Sequence, residues 1–296
     1  MKYRIVHYIM PWEIDDLERQ AHQLILSSYH LSNDTEIIFD CTLNISDNII
    51  DWDLSKMTKE YFIEKYKYIE ILLSNYFIVE FDTDLNVKGC VDKRRSVANK
   101  EQDFIIWLDP DIYFSGLTLA YMVHTSVQLE GDEYILTPEI IKYWDHTWDC
   151  LTHSKFLDEP TNHRDNFDLY SLDELTRNNE ISLTINNRVK LGGGWFNLFT
   201  SKVFKRIVIP DELGSYGWED LYVMLCATHL KIPQYILRGV VVSEIGKRFT
   251  EGKDYLKGQL TIKKENVKWP NFINNNIKIN DEAFNSLIIK FYNENK

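Results

Sequence analysis

Through the first 130 residues, short apolar runs rich in β-branched and aromatic residues alternate with longer stretches of helical periodicity. Tyr3 to Met10 (YRIVHYIM) is β-rich and stops at Pro11. Trp12, Leu17, Ala21, Leu24, Ile25 and Ser28 then recur at helical spacing. Glu36 to Phe39 (EIIF) reads as a second strand, Thr58 to Leu73 as a second helix and Asn75 to Phe81 as a third strand. Ser96 to Lys100 closes a short helix before Asp103 to Leu108 (DFIIWL), the most strand-like run in the chain. Parallel strands must be joined by crossovers, so this order predicts a mostly parallel sheet covered on both faces. In open sheets of that kind, ligands bind outside the carboxyl ends of the strands. Residues directly after each early strand are therefore the first candidates for a site.

Further along, Leu117 to Gln128 reads as a helix and Tyr134 to Thr137 as a strand. Residues 158–179 are polar and aperiodic, a long loop of the sort that often forms a lid or binding element. Regular structure resumes at Arg188 to Leu191 and again at Trp195 to Thr200, and Tyr235 to Ser243 reads as a strand. Ser201 to Arg206, Trp218 to His229 and Asp281 to Asn293 read as helices. A chain of 296 residues suits one large α/β domain or two small ones. With 33 basic and 45 acidic residues the net charge is −12, which disfavours sequence-independent nucleic-acid binding unless a groove is locally basic. The four cysteines form no CxxC pair, so reduced thiols are expected and metal clusters are not. No stretch reaches the roughly 18 apolar residues of a membrane span, and the chain reads as soluble and cytoplasmic.

Asp109-Pro110-Asp111 follows the strand FIIWL directly. Two carboxylates at i and i+2 in extended chain point to one side, about 6–7 Å apart. One can hold a hard cation while the other holds a neighbouring water or hydroxyl. Pro110 fixes its own φ and pushes Asp109 towards extended geometry. Asp-Pro is also a common turn dipeptide, so a bare pair reads equally as a solvated turn. Its place after a buried strand is what points to a ligand.

Gly192-Gly193-Gly194-Trp195-Phe196-Asn197 precedes Gly217-Trp218-Glu219-Asp220 by about 25 residues. Neither a phosphate loop nor a dinucleotide fingerprint is present. Gly193 and Gly194 permit either a tight turn or close approach of the backbone to a ligand. Glu219 and Asp220 fall in the first turn of a helix, where the macrodipole favours acids whatever their role. The functional reading makes one of them a general base and gives the other a substrate hydroxyl. Trp195 and Trp218 offer flat faces for a sugar ring.

Taken together, strand–Asp109-Pro110-Asp111, GGGWFN about 80 residues later and GWED at a helix start resemble the metal-dependent GT-A glycosyltransferases, in their galactosyltransferase-like and family-2-like branches. The resemblance covers about residues 1–245. It implies an α/β fold with a single Rossmann-like nucleotide-sugar domain on a mixed central sheet. The nucleotide-binding half would span about 1–130 and the acceptor half about 131–245, with residues 246–296 packed on as an extension. It also implies Mn²⁺ or Mg²⁺ held against the diphosphate of a nucleotide sugar, with Asp111 as direct ligand and Asp109 on the ribose or a metal-bound water. Asp220 matches the base of inverting members, and Glu219 would grip the acceptor. Pro11, Trp12 and Asp40 match positions that hold the base, and Arg94 and Arg95 lie where relatives place an arginine near the nucleotide. Many relatives supply a late histidine to the metal. None follows His229 here, so Glu244 is the candidate substitute, with Lys247 and Arg248 beside it to neutralise phosphate.

The expected function is transfer of a sugar, read as uridine-linked, to an acceptor hydroxyl with inversion by a hexosyltransferase-like enzyme. Glycans, lipids, proteins and modified nucleobases all present such a hydroxyl. A nucleotidyl- or sugar-phosphate transferase could use the same metal site, and a non-catalytic sugar-binding module is the reading from another class.

Overall fold

The structure, a computed structural model, describes residues 1–55, 57–85, 89–142, 181–185, 195–244 and 266–296. The 158–179 loop, the Arg188–Leu191 run, Gly193, Gly194, Lys247 and Arg248 lie outside the described residues. Of Glu244 the backbone alone is described.

Four parallel strands form the first half of the sheet: β1 (Lys2–Ile9), β2 (Glu36–Asn44), β3 (Ile78–Asp84) and β4 (Phe104–Leu108). The second half adds β5 (Ile112–Phe114), β6 (Ile135–Lys142), β7 (Ser182–Ile185), β8 (Phe196–Thr200) and β9 (Gln234–Glu244). The spatial order is β3-β2-β1-β4-β8-β6-β9-β5, with β7 also pairing β9. β8 runs antiparallel to β4 and β6, and β5 and β7 run antiparallel to β9. The sheet is therefore mixed. β3 forms one edge, with Glu80, Asp82 and Asp84 at alternate positions.

Two apolar clusters cover the two faces. Ile5, Ile9, Ile106 and Leu108 face helices α1 (Ile14–Ser28), α2 (Lys59–Ser74) and α4 (Thr118–Gln128). Val6, Ile105 and Trp107 face α3 (Cys90–Val97), α5 (Ser201–Arg206), α6 (Glu219–His229) and the later turns of α7 (Trp269–Glu294). This is the period-2 alternation of a sheet buried on both sides. Trp107 packs between Phe199 and Phe204 at centroid distances of 4.6 and 5.5 Å, and truncating such a side chain to Ala costs about 3–5 kcal/mol.

Several boundaries differ from the sequence reading for identifiable reasons. β2 continues five residues beyond EIIF to Asn44, because Asp40 is buried by ion pairing instead of ending the strand. The short helix before β4 is Cys90–Val97, not Ser96–Lys100; its start is set by Gly89, whose N–H donates to Asp92 Oδ2 at 3.0 Å. The terminal helix begins at Trp269 rather than Asp281 and runs for 26 residues. Its first half is rich in asparagine, which competes with helix by bonding the backbone locally, and packing of Trp269 against Trp12 and Tyr216 overrides that tendency. Among the described residues no helix is long and apolar enough to cross a membrane.

Candidate active site

The carboxyl end of β4 turns sharply through Asp109-Pro110-Asp111 into β5. Ile112 N–H donates to Asp109 O at 3.3 Å, and Asp109 N–H to Trp195 O at 3.0 Å. Gln20, buried on α1, clamps the turn: its Nε2 donates to Asp109 O at 2.8 Å and to Ile112 O at 2.7 Å. Both aspartate side chains remain half-exposed at the rim of the sheet.

Helix α3 lies above this turn and sends three consecutive basic side chains to three places. Lys93 pairs with Asp40. Arg94, 6% exposed, donates to Asp109 Oδ1 at 2.6 Å and also pairs with Glu219 Oε1. Its guanidinium lies 4.6 Å from the centre of the Trp107 ring, a cation–π contact that fixes its plane. Arg95 turns away and donates to Pro210 O at 2.8 Å and Leu213 O at 2.9 Å. One of the two predicted arginines thus enters the site, while the other pins a loop.

Arg94 joins the two acidic motifs. Glu219 opens α6, and its side chain is 2% exposed and turned inward on Arg94 instead of outward to an acceptor. Cys90 Sγ lies 3.8 Å from Glu219 Oε1, and burial, followed by the Glu219 charge, pushes that thiol up. Asp220 follows, its Oδ1 accepting Leu221 N–H at 2.6 Å. Its carboxyl is raised to about 7, first by burial and then by the Glu219 charge, with Arg94 and the Leu221 N–H pulling the other way. Burial disfavours the charge of Arg94, but Asp109 and Glu219 outweigh it and keep the guanidinium firmly protonated.

The remaining predicted residues are placed as follows. Asp40 sits in mid-strand, not at a strand end, and is committed to Arg4 at 2.7 Å, Lys100 at 2.7 Å and Lys93. Pro11 opens a one-turn 3-10 helix after β1, and Trp12 in that turn is buried edge-on to Trp269. Trp195 is 2% exposed, so its indole is core. Trp218, in a left-handed conformation with φ 71°, is half-buried and meets the ring of Phe284 on α7 at a tilt of 48°, centroids 4.8 Å apart. Trp195 is thus closed to a ligand, whereas Trp218 keeps part of its surface exposed. The β5–β9 pairing sets the backbone of Glu244 opposite Ile112, one residue from Asp111.

Sequence reasoning missed several residues. Tyr216, in the GSYGWED run, packs edge-on against Trp269 at 5.1 Å, and its hydroxyl is pushed up by burial, then by Cys90 and the acids Asp109, Glu13 and Asp111. At the carboxyl ends of β1–β3, where Asp40 was expected to act, Asn44 Nδ2 donates to Tyr8 Oη at 2.7 Å and Tyr8 Oη to Asp84 Oδ2 at 3.1 Å. The usable signal was the rule that sites follow strand ends, applied to the true end of β2. His7 is buried beside Phe39 with neither ring nitrogen hydrogen-bonded among the described residues, and burial lowers it to about 3.

No protein-family model matches the chain, and no curated protein does. Solved structures do. GalNAc-T7, determined with UDP, GalNAc and Mn²⁺, superposes with a TM-score of 0.52 at 14% identity, over 80-odd per cent of this chain (85%) and 44% of that one. The mannosyltransferase PcManGT from Pyrobaculum calidifontis, determined with GDP-Man and Mn²⁺, gives 0.51 at 10% identity over 83% and 58%. S. aureus TarS 1-349 gives 0.46 at 14% identity over 80% and 58%. The chain thus spans about half the length of the structures it matches. The first two likenesses establish the fold: this is the GT-A glycosyltransferase fold.

Proposed function

We propose that the chain is a metal-dependent glycosyltransferase that moves a sugar from a nucleoside diphosphate, uridine-linked in our reading, to an acceptor hydroxyl with inversion. The observation that carries this is the single guanidinium of Arg94, which ties the Asp109 turn to the Glu219–Asp220 helix start. Leaving-group and base chemistry would then share one rim of the sheet. The presence of UDP or GDP-Man with Mn²⁺ in the two superposed glycosyltransferases supports the donor class.

Among the described residues no three His, Cys, Asp or Glu side chains converge as a metal cluster. The fit of a dication is therefore judged on the donors present. Asp109 and Asp111 are hard oxygen donors at a half-exposed rim, the set that Mg²⁺ and Mn²⁺ favour because both keep waters and bind substrate phosphate alongside one or two carboxylates. They fit, and Glu244 is the backbone-adjacent candidate for a further ligand. A bound dication would supply charge neutralisation for the departing diphosphate. Asp111 would hold it, and Asp109, oriented by Arg94, would hold the ribose or a coordinated water. Asp220, with its pKa near neutrality, would accept the acceptor's hydroxyl proton. Glu219 raises the pKa of Asp220 through its own charge while its Oε1 pairs with Arg94.

The test is a panel of UDP- and GDP-sugars with Mn²⁺ or Mg²⁺, following what is released. Nucleoside diphosphate supports the proposal. Pyrophosphate would make the chain a nucleotidyltransferase, and affinity for free glycan without metal-linked nucleotide binding would make it a sugar-binding module.

A further inference from the structure

The backbone that leads into α6 is held by side chains from the far end of the chain. Asn276 Oδ1 accepts Ser215 N–H at 2.7 Å. Asn280, one turn later on α7, accepts Gly214 N–H at 2.5 Å and donates from Nδ2 to Tyr216 O at 2.9 Å and Gly217 O at 2.7 Å. Four successive loop residues thus have a backbone group satisfied from α7, and both asparagines are buried, Asn280 completely. A left-handed turn follows at once, with φ of 83° at Gly217 and 71° at Trp218. Trp218 carries a Cβ, so that conformation persists only where surrounding bonds fix it.

The opposite side of the loop is equally tight. A Cβ on Gly89, at the start of α3, would lie 1.8 Å from Ser215 O, so only glycine allows this approach. Val91 N–H donates to Ser215 O at 3.3 Å. The loop is clamped between α3, which carries Arg94, and α7. What emerges from the clamp is Glu219 on Arg94, and then Asp220.

We propose that Asn276 and Asn280 are positioning residues: by fixing the backbone of residues 214–217 they set the Glu219–Asp220 pair at its working distance from Asp109. This rests on the glycosyltransferase reading above. A purely structural pair of asparagines would affect stability and leave the turnover of folded enzyme untouched. Misplacing a base by about 1 Å can cost about 10²-fold in rate, while donor binding at the strand ends would be spared.

The experiment uses the full chain and compares Asn276→Leu and Asn280→Leu with Asn276→Asp, which keeps an acceptor for Ser215 N–H. With Mn²⁺ and UDP-GlcNAc, UDP-GalNAc or GDP-mannose, nucleoside diphosphate release is followed for folded protein. Both Leu variants are expected to lose about 10- to 100-fold in kcat, with donor KM and Mn²⁺-dependent UDP or GDP affinity within about twofold, and Asn276→Asp to stay within about threefold of wild type. Wild-type kcat in the Leu variants, or equal losses in Asn276→Asp and Asn276→Leu, overturns the proposal. If Asn280→Leu does not fold, the Asn276 pair decides. Gly214→Ala approaches the clamp from the loop side, its Cβ falling 2.6 Å from Asn276 Oδ1, and is expected to lower kcat in the same way. A wild type that turns over none of the three donors refutes the glycosyltransferase reading instead. Amide exchange at 214–217 then decides the clamp: unchanged protection in the Leu variants overturns it, and at least tenfold faster exchange upholds it.

Discussion

Two charge clusters flank helix α3, and they are built to opposite rules. In one, Arg4, Lys93 and Lys100 surround Asp40 and Glu80, three cations to two acids, each carboxylate in direct ion pairs. In the other, Asp109 and Glu219 share Arg94, and the neighbouring Asp220 responds by holding its proton to about pH 7. Asp40 is held below the usual carboxylate range although burial pushes it up, because Lys93 and Lys100 outweigh the burial. The contrast separates structure from chemistry. A cluster rich in cations lowers the pKa of its acids and fixes a strand, whereas in the other cluster burial, with the Glu219 charge second, raises Asp220 into the range where it can exchange protons at neutrality.

The largest expected effect would break the contrast on the reactive side. Asp111→Asn and Asp220→Asn should each lower turnover by about 10⁴-fold while thermal melts stay cooperative. Full activity in either would remove that residue from the chemistry. On the structural side, Asp40→Asn takes from Lys93 its carboxylate partner and leaves Arg4 and Lys100 to Glu80, and should cost about 3 kcal/mol in denaturant unfolding. Mn²⁺ with UDP or GDP should stabilise the wild type by about 2.7 kcal/mol at a hundredfold excess over Kd, and Asp111→Asn should lose most of that.

The smallest effect sharpens the contrast through pH. Glu80 is lowered to about 2, chiefly by its hydrogen bond from Arg4, so its contribution is present above the unfolded carboxylate pKa and is lost as pH falls towards 2. Glu80 is 41% exposed, so solvent screening limits Glu80→Gln to about 1 kcal/mol at pH 7, vanishing near pH 2. Asp220 has the opposite sign. Its folded pKa lies above its unfolded one, so its ionisation penalty is absent below pH about 4 and complete above pH about 7. Asp220→Asn should therefore stabilise the protein at pH 8 and leave it unchanged at pH 4, while the wild-type rate climbs through pH 7. Denaturant melts at those pH values and a pH–rate profile check both signs.

The parallel half of the fold was legible because β1, β4 and the start of β2 are apolar runs and α1 carries a clear stripe, whereas β3 is an acidic edge strand. The second half was less so. β5 has three residues, too few for periodicity to register, and the start of α7 is made helical by long-range contacts of Trp269. In the site, the two acidic motifs were readable from residue type and order. Their connection was not, since nothing in Lys93-Arg94-Arg95 says which side chain turns inward. That is decided by α3's rotation over β1 and by the Trp107 ring beneath Arg94. Trp195 was hard to read for a related reason: an aromatic beside a glycine run looks like a platform, but its indole is core.

The alternate acids on β3 have a consequence for the molecule in a crowded solution. A strand at the margin of a sheet is a template for another chain's backbone, and charge is a common defence against it. Glu80, Asp82 and Asp84 would face their own kind if two such margins met in antiparallel register. Like charge along that margin disfavours growth of the sheet into a neighbour's.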